Sequence, residues 1–222
     1  VHYASLYKLP SVYEVVDSYK ENTKADFHQT VADMAEIPRS QAKLINLGLF
    51  YGMGKKKLQA ELGVTEEKAA ELFNQYHNKV PFVKQLMEKA SNRAQERGQI
   101  RTLLGRLCRF PLWEPHSFGM HKALPHEEAL REHGPGIRRA YTYKSLNKLI
   151  QGSAADMTKK SMLNLYKEGI IAHIQVHDEL DISVENDKQA ERIVEIMEEA
   201  VTLEVPNKVD YECGKNWGDI YD

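Results

Sequence analysis

Only two cysteines occur among the 222 residues, and they share no short spacing of the kind that metal-binding motifs use. We expect Cys108 and Cys213 to be reduced thiols of a cytosolic protein. The net charge is only -2, and no apolar stretch has the length of a membrane span. The first residues show no signal-peptide pattern. These features argue against the disulfide-rich secreted class and the membrane class, and they predict a cytoplasmic globular protein without a membrane partner.

A basic segment stands out against this near-neutral charge, because residues 39–57 contain five cations and no acid. The segment predicts a helix with Pro38 at its first position, where the missing N–H costs nothing. Two cations one helical turn apart could bind a triphosphate, and an aromatic ring further along the helix could contact a nucleotide base. An ordinary amphipathic helix with a solvated basic edge is the alternative at this point. Four residues recur at every fourth position and share one face of this helix: Arg39, Lys43, Leu47 and Tyr51.

Apolar and polar residues alternate in two short segments within residues 171–184, which are joined at residues 177–179, His-Asp-Glu. This alternation predicts a β-hairpin with one buried face. Asp178 and Glu179 are adjacent carboxylates at the turn, where strands on both sides would make them a rigid oxygen site for Mg²⁺. Asp and Glu are also common turn residues, so this pattern alone leaves a purely structural role open.

Three segments together resemble family A DNA polymerases, the DNA polymerase I type. The Arg-x3-Lys-x7-Tyr-Gly pattern of residues 39–52 resembles the nucleotide-binding helix of the fingers in that family. Residues 175–179, Gln-Val-His-Asp-Glu, resemble the motif that carries a catalytic metal-binding Asp. The Asn-x3-Gln-Gly-Ser-Ala-Ala-Asp pattern of residues 147–156 is similar to the palm helix that touches the primer–template. The resemblance is collinear over essentially the whole chain.

For the nucleotide, the resemblance implies that Arg39 and Lys43 hold the triphosphate, with Lys43 neutralising charge and protonating the leaving group. His28 lies in a segment that resembles the one supplying a phosphate-contacting His, and is the third expected triphosphate ligand. Leu47 and Tyr51 would complete the nucleotide site, with Tyr51 stacking at the template base.

For metal and DNA, the resemblance implies that Asp178 is the metal ligand and Glu179 a weaker neighbouring carboxylate. His177 would lie near the primer terminus. Asn147 and Gln151, one turn apart, would read the minor groove, since amides suit the acceptors common to all base pairs there. A further expected DNA contact, Arg106, belongs to residues 102–106, which resemble the strand after the long fingers helices. The chain departs from the family pattern at Tyr143, where relatives often have Arg.

Family A polymerases hold two Mg²⁺ ions between two Asp residues from two palm motifs, and the first motif would lie upstream of His2. The thumb and any exonuclease domain would also be upstream. The chain is therefore expected to be the carboxyl-terminal part of a polymerase, one subunit of a split enzyme. A proteolytic or engineered fragment, or a separate companion chain, would account for the same pattern. The expected partners are primer–template DNA, dNTPs and an upstream polypeptide with the missing motif.

The predicted fold class is α+β, a mostly helical fingers subdomain followed by a palm portion with an antiparallel hairpin and covering helices. Residues 1–36 would be connecting helices, broken around Asn22. Residues 37–139 would be the fingers, with the nucleotide-binding helix at 37–54 and a solvent-facing insertion at about 111–136. Residues 140–222 would be the second part of the palm.

Local signals predict several further elements. Thr65 caps a helix that runs to about Lys79, and the helix after Pro81 ends at Gly98. A long helix is expected from about Ala140 to Lys167 with a cap near Gly169. The palm would then contain a helix whose apolar stripe consists of Ile193, Met197 and Val201. A last strand is expected at residues 209–213. His116, His121 and His126 match no helical zinc spacing, so the insertion is not expected to bind zinc.

Template-directed DNA synthesis, by nucleotidyl transfer from dNTPs to a primer 3′-hydroxyl, is the function that the resemblance implies. A fragment of a single-subunit RNA polymerase is one alternative, because those enzymes share the Lys-x7-Tyr-Gly helix and an Asp-bearing hairpin. A non-catalytic DNA-binding accessory subunit is the other. A bacterial or viral source, hence a bacterial or virus-infected bacterial cell, is expected from the family.

Overall fold

The computed structural model describes residues 1–10, 12–22, 26–35, 37–50, 53–117, 119 and 121–220. The predicted base-stacking residue, Tyr51, lies outside these described residues. All the other predicted site residues are within them.

Helices dominate the described part of the chain, and the sheets are small, so the α+β class predicted from the sequence is confirmed. No helix in this part combines the length and apolar character that a membrane span requires. In the same described part, two 3₁₀ turns, Thr142–Lys144 and Trp217–Ile220, accompany the α-helices. The α-helices are α1 (His2–Leu6), α2 (Val12–Glu21), α3 (Phe27–Ala35), α4 (Arg39–Phe50), α5 (Lys55–Leu62), α6 (Glu66–Lys79), α7 (Pro81–Arg97), α8 (His126–His133), α9 (Ser145–Lys167) and α10 (Asp187–Glu198).

The strands form three antiparallel sheets in the described residues. β1 and β2 make one hairpin, β3 lies between β4 and β5 in a second sheet, and β6 and β7 make another hairpin. In the last of these, Val176 pairs with Glu179, so the turn consists of His177 and Asp178. The strands are β1 (Gln99–Arg101), β2 (Leu107–Arg109), β3 (Leu112–Pro115), β4 (Leu124–Pro125), β5 (Ile137–Arg139), β6 (Ile174–Val176) and β7 (Glu179–Asp181).

The chain divides into two compact units, Val1–Ile150 and Gln151–Asp222, and the boundary falls within α9. The core of the first unit comes from apolar faces of α3, α4, α6 and α7, and includes Ile45 and Phe82. In the second unit Leu165 of α9 packs with Ile193 and Ile196 of α10. The predicted division at residues 139 and 140 into fingers and palm stays a prediction.

Several helix ends follow from local chemistry, as the sequence predicts. Thr65 Oγ1 accepts a hydrogen bond from the backbone N–H of Lys68 at 3.3 Å and caps α6. Gly98 ends α7 with a φ of 66°, a conformation that favours glycine. A Cβ at this position would also lie 2.7 Å from the guanidinium carbon of Arg139, so the end of that side chain would have to shift. After α9, the N–H of Ile170 bonds the Leu165 carbonyl, which confirms the cap predicted near Gly169.

Four predictions about the positions of helices and strands are wrong. Pro38 precedes α4, and its carbonyl accepts from Ala42 N–H at 3.0 Å, so Arg39 is the first helical residue. Residues 102–106 form the turn between β1 and β2, in which Thr102 N–H bonds the Arg106 carbonyl, instead of a strand. Helix α9 begins at Ser145, because β5 and a 3₁₀ turn occupy the residues after 136. Residues 209–213 are described and contain no strand.

Two predictions of burial in the second unit also need correction. In the hairpin, Ile174 and Val176 are 43% and 42% exposed, so β6 does not have the buried face that alternation predicted. On α10 the stripe begins as expected with Ile193, but Val201 lies beyond the end of the helix and Ile196 fills the core beside Leu165. Leu180 of the opposite strand and Ile182, which follows that strand, are partly buried and pack against this core.

The segment predicted to be a solvent-facing insertion contains regular structure. It holds β3, β4 and α8 and is completed by β5. Trp113 of β3 lies under the guanidinium of Arg139, 4.5 Å from the ring centroid, and edge-on to His126 at 4.7 Å. Gln95 of α7 anchors this sheet, since its amide nitrogen donates to the Arg139 carbonyl and its amide oxygen accepts from the Arg139 N–H, both at 2.9 Å.

Candidate functional site

Asp26 organises the start of α3 and reaches across to α4. Its Oδ1 accepts hydrogen bonds from the backbone N–H groups of His28 at 2.8 Å and Gln29 at 3.3 Å, and therefore caps α3. Its Oδ2 accepts from Nε of Arg39 at 2.7 Å. The Arg39 hydrogen bond lowers the pKa of the Asp26 carboxyl. One carboxylate thus fixes both the helix that carries His28 and the first cation of α4.

His28 is also bound from the side of α4. Its Nδ1 lies 3.0 Å from Nδ2 of Asn46, and Oδ1 of Asn46 accepts from the Tyr76 hydroxyl at 2.6 Å. Tyr76 and Asn46 are both fully buried, and His28 is half-buried. Burial lowers the pKa of His28; Arg39 and Lys43 lower it further, whereas the Asp26 charge opposes them. These influences favour a neutral imidazole close to both cations.

Lys43 and Leu47 lie on the exposed face of α4. The ammonium group of Lys43 makes no hydrogen bond or ion pair with a described residue, and its charge acts on His28. Leu47 is 42% exposed, whereas Ile45 of the same helix is fully buried. Three of the predicted triphosphate ligands, His28, Arg39 and Lys43, therefore occur together around the packed pair α3 and α4.

The hairpin of the second unit presents its turn to solvent. His177, Asp178 and Glu179 are all exposed. His177 has a φ of 55°, and Asp178 has no positive φ, which is the sign pattern of a type II′ turn. The amide nitrogen of Gln175 donates to the His177 carbonyl at 2.6 Å and braces this turn. The arrangement holds two carboxylates at the tip of a short ladder, in reach of a ligand from solvent.

The predicted DNA contacts occupy surface positions on two elements. Asn147 is half-buried and Gln151 is exposed, four residues apart along α9. Arg106 is an exposed residue of the turn between β1 and β2, and Arg101 donates to the Gly105 carbonyl of that turn at 3.1 Å. Tyr143, the departure from the family pattern, is 62% exposed in the 3₁₀ turn before α9.

Oxygen donors for a divalent cation are present but few. Asp178 and Glu179 have the carboxylate chemistry that Mg²⁺ prefers. Among the described residues, no group of three or more His, Cys, Asp or Glu side chains is placed to hold a metal ion. These residues fit part of a magnesium site, and the remaining ligands would have to come from elsewhere.

Three residues of the first-unit site were not predicted: Asp26, Asn46 and Tyr76. Asp26 had a signal, because an Asp directly before a helix is a preferred cap. Asn46 lies among predicted helix residues with no distinguishing spacing, and Tyr76 is 30 residues away from it in sequence. Only the packing of α4 against the other helices brings this pair to His28.

Comparisons with known proteins agree with this picture. The sequence profile of DNA polymerase family A matches residues 7–219. A DNA-directed DNA polymerase of Pseudomonas phage M6 is 34% identical over 98% of this chain and 36% of its own length. DNA polymerase I of Geobacillus stearothermophilus is 33% identical over 92% of this chain and 22% of its own length. The chain thus spans about a third or less of these relatives.

A solved structure shows the same likeness in three dimensions. It is the POL domain of Pol1 from M. smegmatis in complex with DNA primer-template and dNTP, and it superposes with a TM-score of 0.66 at 28% identity. The match covers 86% of this chain and 34% of that chain. Together with the profile, it confirms the family that residues 39–52, 147–156 and 175–179 predicted. This chain belongs to DNA polymerase family A.

Proposed function

We propose that the chain binds a deoxynucleoside triphosphate between α3 and α4 and contributes part of the active site for template-directed DNA synthesis. The observation that carries the proposal is the grouping of His28, Arg39 and Lys43 around one packed pair of helices. A triphosphate carries several negative charges on acceptor oxygens. Two cations and a neutral imidazole supply the complementary charge and donors.

The reaction is nucleotidyl transfer. The primer 3′-oxygen forms a bond to the α-phosphorus of the nucleotide as the bond from that phosphorus to the bridging oxygen breaks. The 3′-hydroxyl loses its proton to water, and pyrophosphate leaves with the bridging electron pair. Arg39 and Lys43 stabilise the negative charge on the leaving group, and Lys43 donates a proton to it. Tyr51 would stack at the template base, worth about 1–3 kcal/mol.

Asp178 is proposed as a ligand of catalytic Mg²⁺, with Glu179 as the weaker neighbour. The ion would supply stabilising charge for the oxygens of the reacting phosphate. Since the described residues supply no third ligand, we propose that a further Asp, from the first palm motif of the polymerase, completes the site from sequence upstream of residues 1–222. This upstream part would also supply the thumb. DNA synthesis would take place in the cytoplasm of a bacterial or virus-infected bacterial cell.

Primer–template DNA is the second proposed ligand. His177, at the tip of the hairpin, would contact the primer terminus. Asn147 and Gln151 would read the minor groove from α9, and Arg106 would bind a phosphate of the duplex. Side chains at exposed or half-exposed positions suit such contacts, because the grooves and phosphates approach from solvent.

Primer extension tests the proposal. The chain is assayed with Mg²⁺, alone and mixed with candidate upstream polypeptides that carry the Asp-bearing strand. We expect activity in the mixture, loss of it with Asp178→Ala, and no loss with Asp210→Ala, an exposed carboxylate of the same unit. Activity of the chain alone would contradict the need for an upstream Asp. Activity that survives Asp178→Ala would favour the non-catalytic accessory subunit.

Nucleotide choice separates the two polymerase functions. Family membership favours dNTPs, and we expect the reconstituted mixture to extend a primer with dNTPs much faster than with ribonucleotides under the same conditions. Equal or faster extension with ribonucleotides would favour the RNA polymerase alternative.

A further inference from the structure

A hydrogen-bonded chain of three side chains runs from the core of the first unit to the proposed triphosphate site. The Tyr76 hydroxyl lies 2.6 Å from Oδ1 of Asn46, and Nδ2 of Asn46 lies 3.0 Å from Nδ1 of His28. The two inner residues are fully buried. Nε2 of His28, on the opposite edge of the ring, makes no hydrogen bond with a described residue.

The direction of these hydrogen bonds follows from the buried hydroxyl. Asn46 is the only hydrogen-bond partner of the Tyr76 hydroxyl in the described part of the chain. If the Asn46 amide were reversed, its nitrogen would donate to the hydroxyl oxygen, and the O–H of Tyr76 would be buried without an acceptor. Buried donors without acceptors are rare and costly. Tyr76 therefore donates to Oδ1, and the amide nitrogen of Asn46 faces His28.

A ring nitrogen that faces an N–H donor must accept, and an imidazole nitrogen accepts only when it carries no proton. In a neutral imidazole the proton then resides on the other nitrogen. We infer that Asn46 and Tyr76 are positioning residues that hold His28 with Nδ1 unprotonated and Nε2–H directed to the triphosphate. This inference rests on the proposed function for its ligand, although the proton position belongs to the chain itself.

The proton position matters because phosphate oxygens only accept hydrogen bonds. With the proton on Nδ1, the outer nitrogen would present a lone pair to the anionic oxygens and repel them. With the proton on Nε2, the same ring donates. Burial and the nearby charges of Arg39 and Lys43 disfavour the doubly protonated ring, which would donate from either side, and the pKa of His28 is lowered accordingly. Asn46 therefore decides whether His28 attracts or repels the nucleotide.

The proton position is measurable by nitrogen-15 NMR of the ring in the full chain near neutral pH, without any nucleotide. His28→Gln identifies the His28 signals by their loss. We expect Nδ1 to show the chemical shift of an unprotonated nitrogen and Nε2 that of a protonated one. A protonated Nδ1 in the unaltered chain would overturn the inference, and this measurement needs no altered positioning residue to fold.

Asn46→Asp sharpens the test, because a carboxylate oxygen in place of the amide nitrogen can only accept. We expect Nδ1 of His28 to become protonated in this variant. Asn92→Asp, on the exposed surface of α7, adds the same charge away from the chain of hydrogen bonds and should leave His28 unchanged. Tyr76→Phe should allow the Asn46 amide to reverse and produce a mixture of both proton positions. An unprotonated Nδ1 in folded Asn46→Asp would overturn the inference.

Titration with magnesium dATP separates the inference from the proposed function. We expect Asn46→Asp to weaken binding on the order of tenfold, as His28→Gln does, with Asn92→Asp unchanged. Binding that needs Lys43 but is indifferent to Asn46→Asp would overturn the positioning role and leave the triphosphate site standing. Absence of dATP binding, by the chain alone and by the reconstituted mixture, would overturn the proposed function, and the NMR result would still decide the proton position.

Discussion

Nε of Arg39 lies 2.7 Å from Oδ2 of Asp26, a contact between residues 13 positions apart that ties the first turn of α4 to the start of α3. The same carboxylate caps α3 through Oδ1, so its two oxygens serve two different helices. Because the guanidinium has five N–H donors, this contact orients Arg39 and leaves other donors for an anion. The helix pair α3 and α4 is thereby fixed before a nucleotide binds.

Acid should reveal the strength of this contact. The Arg39 hydrogen bond lowers the pKa of folded Asp26, so the stability that it contributes is present above the unfolded pKa of about 3.9 and is lost as the pH falls through the folded pKa. We expect Asp26→Asn to lower the free energy of unfolding by at most about 1 kcal/mol at neutral pH, since the pair is partly exposed and Asn still caps a helix. The difference between the two proteins should vanish in acid, as measured by urea unfolding across the pH range.

The double variant Asp26→Asn with Arg39→Gln isolates the pair. The loss at neutral pH should be less than the sum of the two single losses, because each single change already breaks the contact. A stability difference between the unaltered chain and Asp26→Asn that is equal at neutral and acidic pH would show that the Arg39 contact does not hold the carboxylate ionised.

Lys43 should be important for activity and unimportant for stability. Its ammonium group has no partner among the described residues, so Lys43→Gln should change the free energy of unfolding by no more than about 0.5 kcal/mol. Loss of one preorganised cation from the triphosphate site should slow primer extension by the reconstituted mixture on the order of a hundredfold. Lys20→Gln, an exposed lysine of α2, is the matched control and should have no effect on either quantity. Full activity of Lys43→Gln would remove Lys43 from the proposed site.

Local signals in the sequence predicted what depends on a few neighbouring residues. The cap of Thr65 and the glycine end of α7 are of this kind, and both are confirmed. The strand predicted at residues 209–213 is wrong, because the local sequence does not supply a partner strand. A strand also needs an edge to pair with, and β7 pairs only with β6 in the described residues.

Within the site, the same distinction separates the predicted residues from those that were missed. The spacing of Arg39 and Lys43 marks one helix face, and this required no knowledge of tertiary packing. The ring of His28 contacts Asn46, which lies 18 residues away on α4, and Asn46 in turn accepts a hydrogen bond from Tyr76 of α6. Such buried polar contacts arise only when three helices pack, so the residue order alone does not indicate them.

Leu47 should disfavour dideoxynucleotides, because a leucine has no group to replace the missing 3′-hydroxyl. In Leu47→Tyr a phenol hydroxyl can donate to the phosphate oxygens, and one hydrogen bond is worth about 0.5–1.5 kcal/mol, equivalent to about a twofold to tenfold gain. The side chain is 42% exposed, so a larger ring fits without repacking the core. The ratio of deoxy- to dideoxynucleotide incorporation should fall in Leu47→Tyr and remain higher in Leu47→Phe, which lacks the hydroxyl. An unchanged ratio in both variants would sink this prediction.

A substitution at the turn residue His177 can separate the effect of backbone strain from the effect on function. Its φ of 55° is uncommon for a residue with a side chain, and the first central position of a type II′ turn favours glycine. In His177→Gly the relief of strain, about 1–2 kcal/mol, is offset by the greater entropy of glycine in the unfolded chain, about 0.5–1 kcal/mol. We therefore expect the free energy of unfolding to remain the same or to rise slightly, whereas primer extension by the reconstituted mixture falls because the contact at the primer terminus is lost. Equal activity of the two proteins would assign His177 to the turn alone, and a clear loss of stability would mean that its imidazole, and not its backbone, holds the hairpin.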